Sequence, residues 1–300
     1  MRKITINKND AGIRLDSFLA KIVPDAPKSL IYKWIRKKRV KVNSKKEDIS
    51  YRLSEGDELL LYINDEFFEK KESEKAIVYD DKTPELKICY EDESILIIDK
   101  PKGLLAHSDG EGRENLIDNV RKYLYQKGEY TPENENFFRP QLCHRIDKNT
   151  SGLVIAAKTQ EALKIINEKI KTREIIKFYR LLAEGEFKEK KGTIKGYIKK
   201  DAKTNKVKFS FDYFDGAKEA VTDYVVLNDK SVLAELKTGR THQIRASFSA
   251  IGHPLIGDVK YGARKNGKKT YQELRAEKII FDFTTDAGNL NYLKGKEITA

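Results

Sequence analysis

Many short strand-like runs and few helical ones follow one another in residues 86–300. Helical spacing is limited there to 114–125, 159–172 and 241–251. So many strands with so few helices between them favour a large, mainly antiparallel mixed sheet flanked by helices, and therefore an α+β fold. The predicted strands are 86–90, 94–99, 152–158, 176–186, 191–198, 206–211, 219–228, 231–237 and 278–283.

Residues 1–70 predict a separate, smaller α/β domain. Apolar residues recur at helical spacing over 14–23, and Pro24 ends that helix. A second helix follows near Ser29, and strand-like runs come after it at 40–43 and 59–63. The second helix carries a basic face opposite its apolar one, and this basic face consists of Lys33, Arg36 and Lys37. The charged stretch 71–85 predicts a linker, and 86–300 predicts the second domain.

The charge balance favours a polyanionic partner. Lys and Arg number 59 and Asp and Glu 47, so the formal net charge is +12. Nucleic acid fits this balance better than a membrane surface, because no apolar run approaches the ~20 residues that span a bilayer. The two cysteines, Cys89 and Cys143, are far apart and form no metal or disulfide motif, so we expect a protein of the reducing cytoplasm.

One carboxylate stands among cations at 144–152, HRIDKNTSG, just before an apolar run that predicts a buried strand. A carboxylate that is buried needs a paired charge and hydrogen bonds, and an arginine partner would keep it ionised. An oriented, ionised Asp147 suits covalent catalysis or proton abstraction without a cofactor. The alternative is that Asp147 only forms a salt bridge and caps the turn.

Other chemistries find less support in the residues. The four histidines have no helical metal-ligand spacing, so we expect no metal site. His144, Asp147 and Ser151 could be assembled into a hydrolase triad, but no serine lies in a G-x-S-x-G turn. A two-metal nuclease needs clustered acids, and a glycosidase normally needs two acids that flank the bond.

Five ordered segments of the second domain resemble the signature motifs of the RluA family of pseudouridine synthases. The N-terminal domain is similar to the S4 RNA-binding domain in its helix-helix-hairpin layout and its basic helix. The five segments are ILIIDKPKGLLAH (95–107), HRIDKNTSGL (144–153), KFYRLL (177–182), TGRTHQIRAS (238–247) and GHPLIGDVKYG (252–262).

The resemblance implies an isomerase that converts uridine in RNA to pseudouridine without a cofactor or metal. It implies that Asp147 is the catalytic carboxylate and that Arg245 pairs with it. It further implies that Tyr179 packs on the uracil and that Arg145 takes the place of the flipped base in the RNA stack. Whether Asp147 attacks the ribose, attacks the uracil or abstracts a sugar proton stays open.

The remaining expectations concern RNA. We expect substrate contacts from His144, Thr150 and Arg240, with His144 and His242 holding turns rather than moving protons. Phosphate contacts are expected from the basic face of the N-terminal domain. The resemblance favours a monomer that acts on 23S rRNA or a large-subunit precursor. The alternatives are a tRNA substrate and a non-catalytic RNA-binding or ribosome-assembly factor.

Overall fold

The computed structural model describes residues 1–68, 84–201, 206–265 and 271–300. The chain forms two compact units. The first comprises Met1–Pro84, Val120–Gln141 and Lys158–Glu161, and the second comprises Glu85–Asn119, Leu142–Ala157 and Ala162–Ala300. The predicted linker lies, apart from residues 84 and 85, outside the described residues, and the predicted domain boundaries stay predictions.

Residues 1–68 of the first unit contain two short helices and a three-stranded antiparallel sheet in the order β1-β3-β2. Its core is formed by the apolar faces of both helices, where Phe18 and Leu19 are fully buried, and by the inward side chains of the strands. The predicted helices are therefore confirmed, as is the basic face, because Lys33 and its two cationic neighbours are exposed. The elements are β1 (Arg2–Thr5), α1 (Leu15–Ile22), α2 (Lys28–Arg36), β2 (Val40–Val42) and β3 (Glu58–Leu61).

The remaining elements build a large sheet of eleven strands and three further helices. In chain order they are β4 (Ile88–Glu91), β5 (Ile95–Lys100), α3 (Leu116–Gln126), β6 (Gln141–Leu142), β7 (Ser151–Ala157), α4 (Gln160–Lys171), β8 (Ile175–Leu182), β9 (Lys191–Lys200), β10 (Val207–Ser210), β11 (Lys218–Val226), β12 (Ser231–Leu236), α5 (Gln243–Ala250), β13 (Leu274–Phe281) and β14 (Glu297–Thr299).

The large sheet runs in the order β10-β9-β11-β12-β8-β13-β7-β5-β4, with β14 added to β13 and β6 to β7. Every strand pair whose register is described is antiparallel except β13 with β7. This confirms the α+β class and the mainly antiparallel mixed sheet. Among the described residues, no helix is both long enough and apolar enough to cross a membrane.

The sequence placed the start of β13 too late and missed β6 and β14. β13 begins at Leu274 rather than at 278, because its first half carries Arg275 and Glu277 and so lacks an apolar run. The Arg275 side chain is nevertheless accommodated, since Nη2 donates a 2.7 Å hydrogen bond to Oδ2 of the buried Asp99. β6 and β14 have two and three residues, too few to show a period.

Candidate active site

Asp147 lies in a tight turn that feeds directly into β7. The Thr150 N–H donates to the Asp147 carbonyl at 3.0 Å, and Gly152 follows with a φ of +111°. Only glycine fits there, because a Cβ at Gly152 would lie 2.1 Å from the backbone oxygen of Ala276 on the parallel neighbour β13. The close approach of β13 to β7 therefore fixes where the turn ends and where the Asp147 carboxylate is held.

A single arginine from α5 joins Asp147 to a second, buried carboxylate. Arg245 Nη1 donates to Asp147 Oδ2 at 3.1 Å. Its Nε and Nη2 donate to the two oxygens of Asp258 at 2.6 and 2.8 Å. Asp258 is 2% exposed, whereas the Asp147 side chain is 26% exposed. The two-bond contact with Asp258 fixes the plane of the guanidinium and aims Nη1 at the acid that faces solvent.

The guanidinium of Arg245 is charged in this setting. Burial alone would lower its pKa, but the hydrogen bonds and charges of Asp258 and Asp147 raise the pKa above its ordinary value. A buried arginine with two carboxylate partners supplies a fixed positive charge beside Asp147. The predicted pairing of Asp147 with Arg245 is confirmed by this geometry.

Gln243 sets the start of α5, so that Arg245 points back to the turn. Its Oε1 accepts from Thr238 Oγ1 at 2.7 Å and from the Arg240 N–H at 3.1 Å. Its Nε2 donates to the Val221 carbonyl at 3.0 Å and to a threonine hydroxyl of β11. The buried amide thus ties the segment before α5 to the neighbouring strand.

His242 precedes α5 in the left-handed conformation and approaches Asp147 from a second side. Its Nε2 lies 3.6 Å from Asp147 Oδ2, and its Nδ1 lies 2.8 Å from the hydroxyl of Tyr261. That hydroxyl also accepts the Val207 N–H at 3.0 Å. Burial lowers the pKa of His242 although Asp147 acts in the opposite direction, so the imidazole is neutral near pH 7.

Tyr179 lies on β8 and is 6% exposed. Burial and the negative charge of Asp147 raise the pKa of Tyr179 far above its ordinary value, so the phenol keeps its proton. Among the described residues the Tyr179 hydroxyl has no hydrogen-bond partner, which leaves it available to a bound molecule.

Lys100 is a fully buried cation next to the turn that the sequence did not single out. Its ammonium donates to the carbonyls of Pro101, Leu104 and Lys148 at 2.8, 2.9 and 3.0 Å. Burial lowers the pKa of Lys100 to about 8, against a smaller opposite effect of Asp147. The three bonds join the loop after β5 to the turn that carries Asp147.

The other predicted RNA contacts differ in accessibility. Arg145 and Arg240 are exposed, and Arg240 Nε donates to the Glu219 carbonyl at 3.2 Å. His144 Nε2 accepts the Ile155 N–H at 3.2 Å, and burial with the charge of Lys177 holds the pKa of His144 well below its usual range. Thr150 is 2% exposed and accepts from Gln272. His144 and Thr150 thus support the turn, and their direct contact with RNA stays a prediction.

Asp258, Tyr261 and Gln243 were missed as site residues, although all three lie within the motifs quoted above. Gln243 and Asp258 each precede an apolar residue, so their burial would demand a polar partner, whereas Tyr261 stands between Lys260 and Gly262 and shows no such local signal. Which distant partner each one takes is visible only in three dimensions.

Two family models match parts of the chain. Residues 94–250, more than half of the chain, match the family model described as RNA pseudouridylate synthase. Residues 13–59 match the S4 domain.

Related proteins cover nearly the whole chain. A protein of Mycoplasma capricolum named "Uncharacterized RNA pseudouridine synthase" is 36% identical over 99% of this chain and 97% of its own length. The "Ribosomal large subunit pseudouridine synthase C" of Vibrio parahaemolyticus is 32% identical over 87% of this chain and 80% of its own.

A solved structure named "Human RNA Pseudouridylate Synthase Domain Containing 1" is similar in fold. It has a TM-score of 0.54 and 24% identity, and the match covers 74% of this chain and 85% of that one. The chain belongs to the RluA family of RNA pseudouridine synthases, isomerases that act on RNA, and carries an S4 domain near its N-terminus.

Proposed function

We propose that this chain isomerises specific uridines of large-subunit (23S) rRNA and that Asp147 is the catalytic carboxylate, with no cofactor. The observation that carries the proposal is the position of Asp147, 3.1 Å from an arginine that a buried aspartate holds in place. The name of the Vibrio parahaemolyticus relative, "Ribosomal large subunit pseudouridine synthase C", supports rRNA as the substrate. A tRNA substrate is the alternative within the same activity.

The chemistry requires one bond to break and another to form at the same sugar carbon. The bond from uracil N1 to C1′ breaks, the base turns, and C5 bonds to C1′. The proton lost from C5 is balanced by the proton gained at N1. A carboxylate that is kept ionised and oriented by Arg245 suits each of the three roles open to Asp147, as nucleophile toward ribose or uracil or as base toward the sugar.

The substrate nucleotide must leave its stack to reach this acid, at a cost of about a few kcal/mol. We assign to Arg145 the replacement of the lost stacking, because its guanidinium is exposed and, among the described residues, has no acidic partner. We assign to Tyr179 the contact with the uracil face, where a protonated phenol both packs and donates.

Cations near the turn and on the first unit suit the RNA backbone. Lys102, Arg113 and Lys148 line a cleft of about 490 Å³ beside the Asp147 turn. Lys102 is paired with Glu273 and Arg113 with Asp109, whereas Lys148 has no acidic partner among the described residues. Lys33, with Arg36 and Lys37, forms the exposed basic face of α2. Such contacts set affinity and register rather than sequence choice. The predicted cytoplasmic location and monomeric state stay predictions.

The test has two parts. Pseudouridine is mapped site by site in ribosomal and transfer RNA from cells with and without the gene, and loss of a site in the large-subunit rRNA is expected. Cells that carry only Asp147→Asn should lose the same site. Normal modification by that variant would exclude the role of Asp147, and loss confined to tRNA would exclude rRNA as the substrate. An RNA-binding assembly factor would leave every pseudouridine in place.

A further inference from the structure

The β9–β10 edge of the large sheet, defined here as residues 191–200 and 206–214, is strongly basic along its strands. Residues 191–200 and 206–211 contain no acidic residue, and Asp212, next to Tyr213, is the one acid within the defined edge. In the antiparallel register of the two strands, Lys199 lies directly opposite Lys208. Two like charges that lie directly opposite each other across a strand pair destabilise the pair. A bound anion, such as a phosphate, would relieve this repulsion.

The acids near this edge neutralise only part of it. Lys195 forms a salt bridge with Glu219 at 3.1 Å, and the Lys199 ammonium donates to the Asp215 carbonyl at 2.8 Å and lies 3.9 Å from its carboxylate. The Lys208 ammonium instead sits 4.9 Å from the centroid of the Phe214 ring. Among the described residues no carboxylate lies within salt-bridge distance of Lys208.

Aromatic rings lie on the same surface as these lysines. Tyr197 and Tyr213 pack edge to face at 5.4 Å, and Phe214 lies under Lys208. Tyr213 is 65% exposed, the highest value for a large apolar or aromatic side chain of the described residues apart from Met1. An exposed ring held by a second ring beside paired lysines has the features of a stacking platform for bases.

The platform lies on the face of the sheet opposite to α5. Ile198 and Val207 point inward and pack with Ala246 of α5. Because side chains alternate along a strand, Lys199 and Lys208 project to the other side. The platform therefore lies on the other face of the sheet from α5, the helix that supplies Arg245 to Asp147.

We propose that the β9–β10 edge binds an unpaired segment of the RNA substrate, separately from the flipped uridine. Tyr213 stacks on a base, and Lys199 and Lys208 contact the flanking phosphates. Only unpaired RNA fits, because the base faces of a duplex are covered by their neighbours and its deep groove does not admit the rings. The inference rests on the proposed function for the nature of the nucleic acid and adds a second contact surface to it.

The experiment measures binding of the full chain to a short labelled oligouridine and to an RNA duplex of equal length, by fluorescence anisotropy across salt concentrations. Tyr213→Ala should weaken oligouridine binding by about 5-fold or more and leave duplex binding unchanged. Tyr213→Phe should bind like wild type. Lys208→Ala should reduce the slope of log K against log salt by about one unit for the oligouridine.

Matched controls come from the other parts of the same unit. Tyr292→Ala removes a ring that is 50% exposed and bonded to Asp92 beside β4, at the opposite edge of the sheet. Lys171→Ala removes an exposed lysine at the end of α4. Both should bind both RNAs like wild type, with unchanged circular dichroism for all variants.

Three results would overturn the proposal: unchanged oligouridine binding by Tyr213→Ala, an equal loss for duplex and oligouridine, or a Tyr213→Phe variant as weak as Tyr213→Ala. Pseudouridine formation by the wild-type chain is measured in parallel. Absence of product would contradict the proposed function, while the binding series would still decide whether the edge holds unpaired RNA.

Discussion

Replacing Asp258 by Asn removes the charge that holds Arg245 but leaves the shape of the site nearly unchanged. Arg245 is 8% exposed and makes three hydrogen bonds to carboxylates, two of them to Asp258. Breaking a buried ion pair from one side costs about 3–5 kcal/mol. Because Asp147 still partners the guanidinium, we expect the free energy of unfolding to fall by about 3 kcal/mol, the lower end of that range.

The same substitution should also slow the reaction. An amide at position 258 accepts one hydrogen bond where the carboxylate accepted two, so the guanidinium loses its fixed plane. A displacement of about 1 Å at a reacting group costs up to about 100-fold in rate. We therefore expect a loss of about 10- to 100-fold in product formation, measured as tritium released from RNA labelled at uracil C5.

Asp147→Asn is the matched variant. Its carboxylate is partly exposed, so its loss should cost only about 1 kcal/mol or less in stability while abolishing product formation. Unfolding by urea is followed by circular dichroism, because the single tryptophan, Trp34, lies in the first unit. If Asp258→Asn unfolds at the wild-type urea concentration and turns over at the wild-type rate, Asp258 does not hold Arg245 and the reasoning is wrong.

Three further predictions follow from the described contacts. Lys100 has a pKa of about 8 in the folded chain, below its unfolded value, so between pH 8 and 10 the unfolded chain binds more protons and stability rises with pH. From pH 8 to 9 the free energy of unfolding, measured with urea, should therefore rise by about 1 kcal/mol more in wild type than in Lys100→Met. Gly152→Ala should prevent folding of the second unit, as judged by circular dichroism and proteolysis, whereas Gly239→Ala, which meets no atom within 4 Å, should fold normally. Replacing Lys33, Arg36 and Lys37 together by Ala should lower the slope of log K against log salt by about 2–3 units in RNA titrations, and an unchanged slope would exclude α2 as a phosphate contact.

Local patterns were sufficient for most of the fold. The buried strand β7 follows from its continuous apolar run, and the helices of both units follow from their apolar spacing. The patterns failed where a strand carries charge or is very short. β13 contains Arg275, whose partner Asp99 is 176 residues away in sequence, so nothing local marks that charge as compatible with a sheet.

The candidate site was predictable only in part, for the same physical reason. Motif resemblance paired Asp147 with Arg245, and the structure confirms the contact. It did not identify Asp258 or Lys100, because a buried charge is stabilised by partners that the fold brings together. The carbonyls that hold Lys100 belong to two separate loops, and their convergence has no counterpart in the spacing of residue types.

The charges around Arg245 balance within the site, because two carboxylates, Asp147 and Asp258, are matched by the guanidinium and by the buried ammonium of Lys100. The attraction for RNA phosphates therefore comes from the lysines and arginines outside this cluster, in a chain whose formal charge is +12. A nucleotide that approaches the site is sorted by its own parts: the uncharged base and sugar enter, and the phosphodiesters on either side remain at the rim.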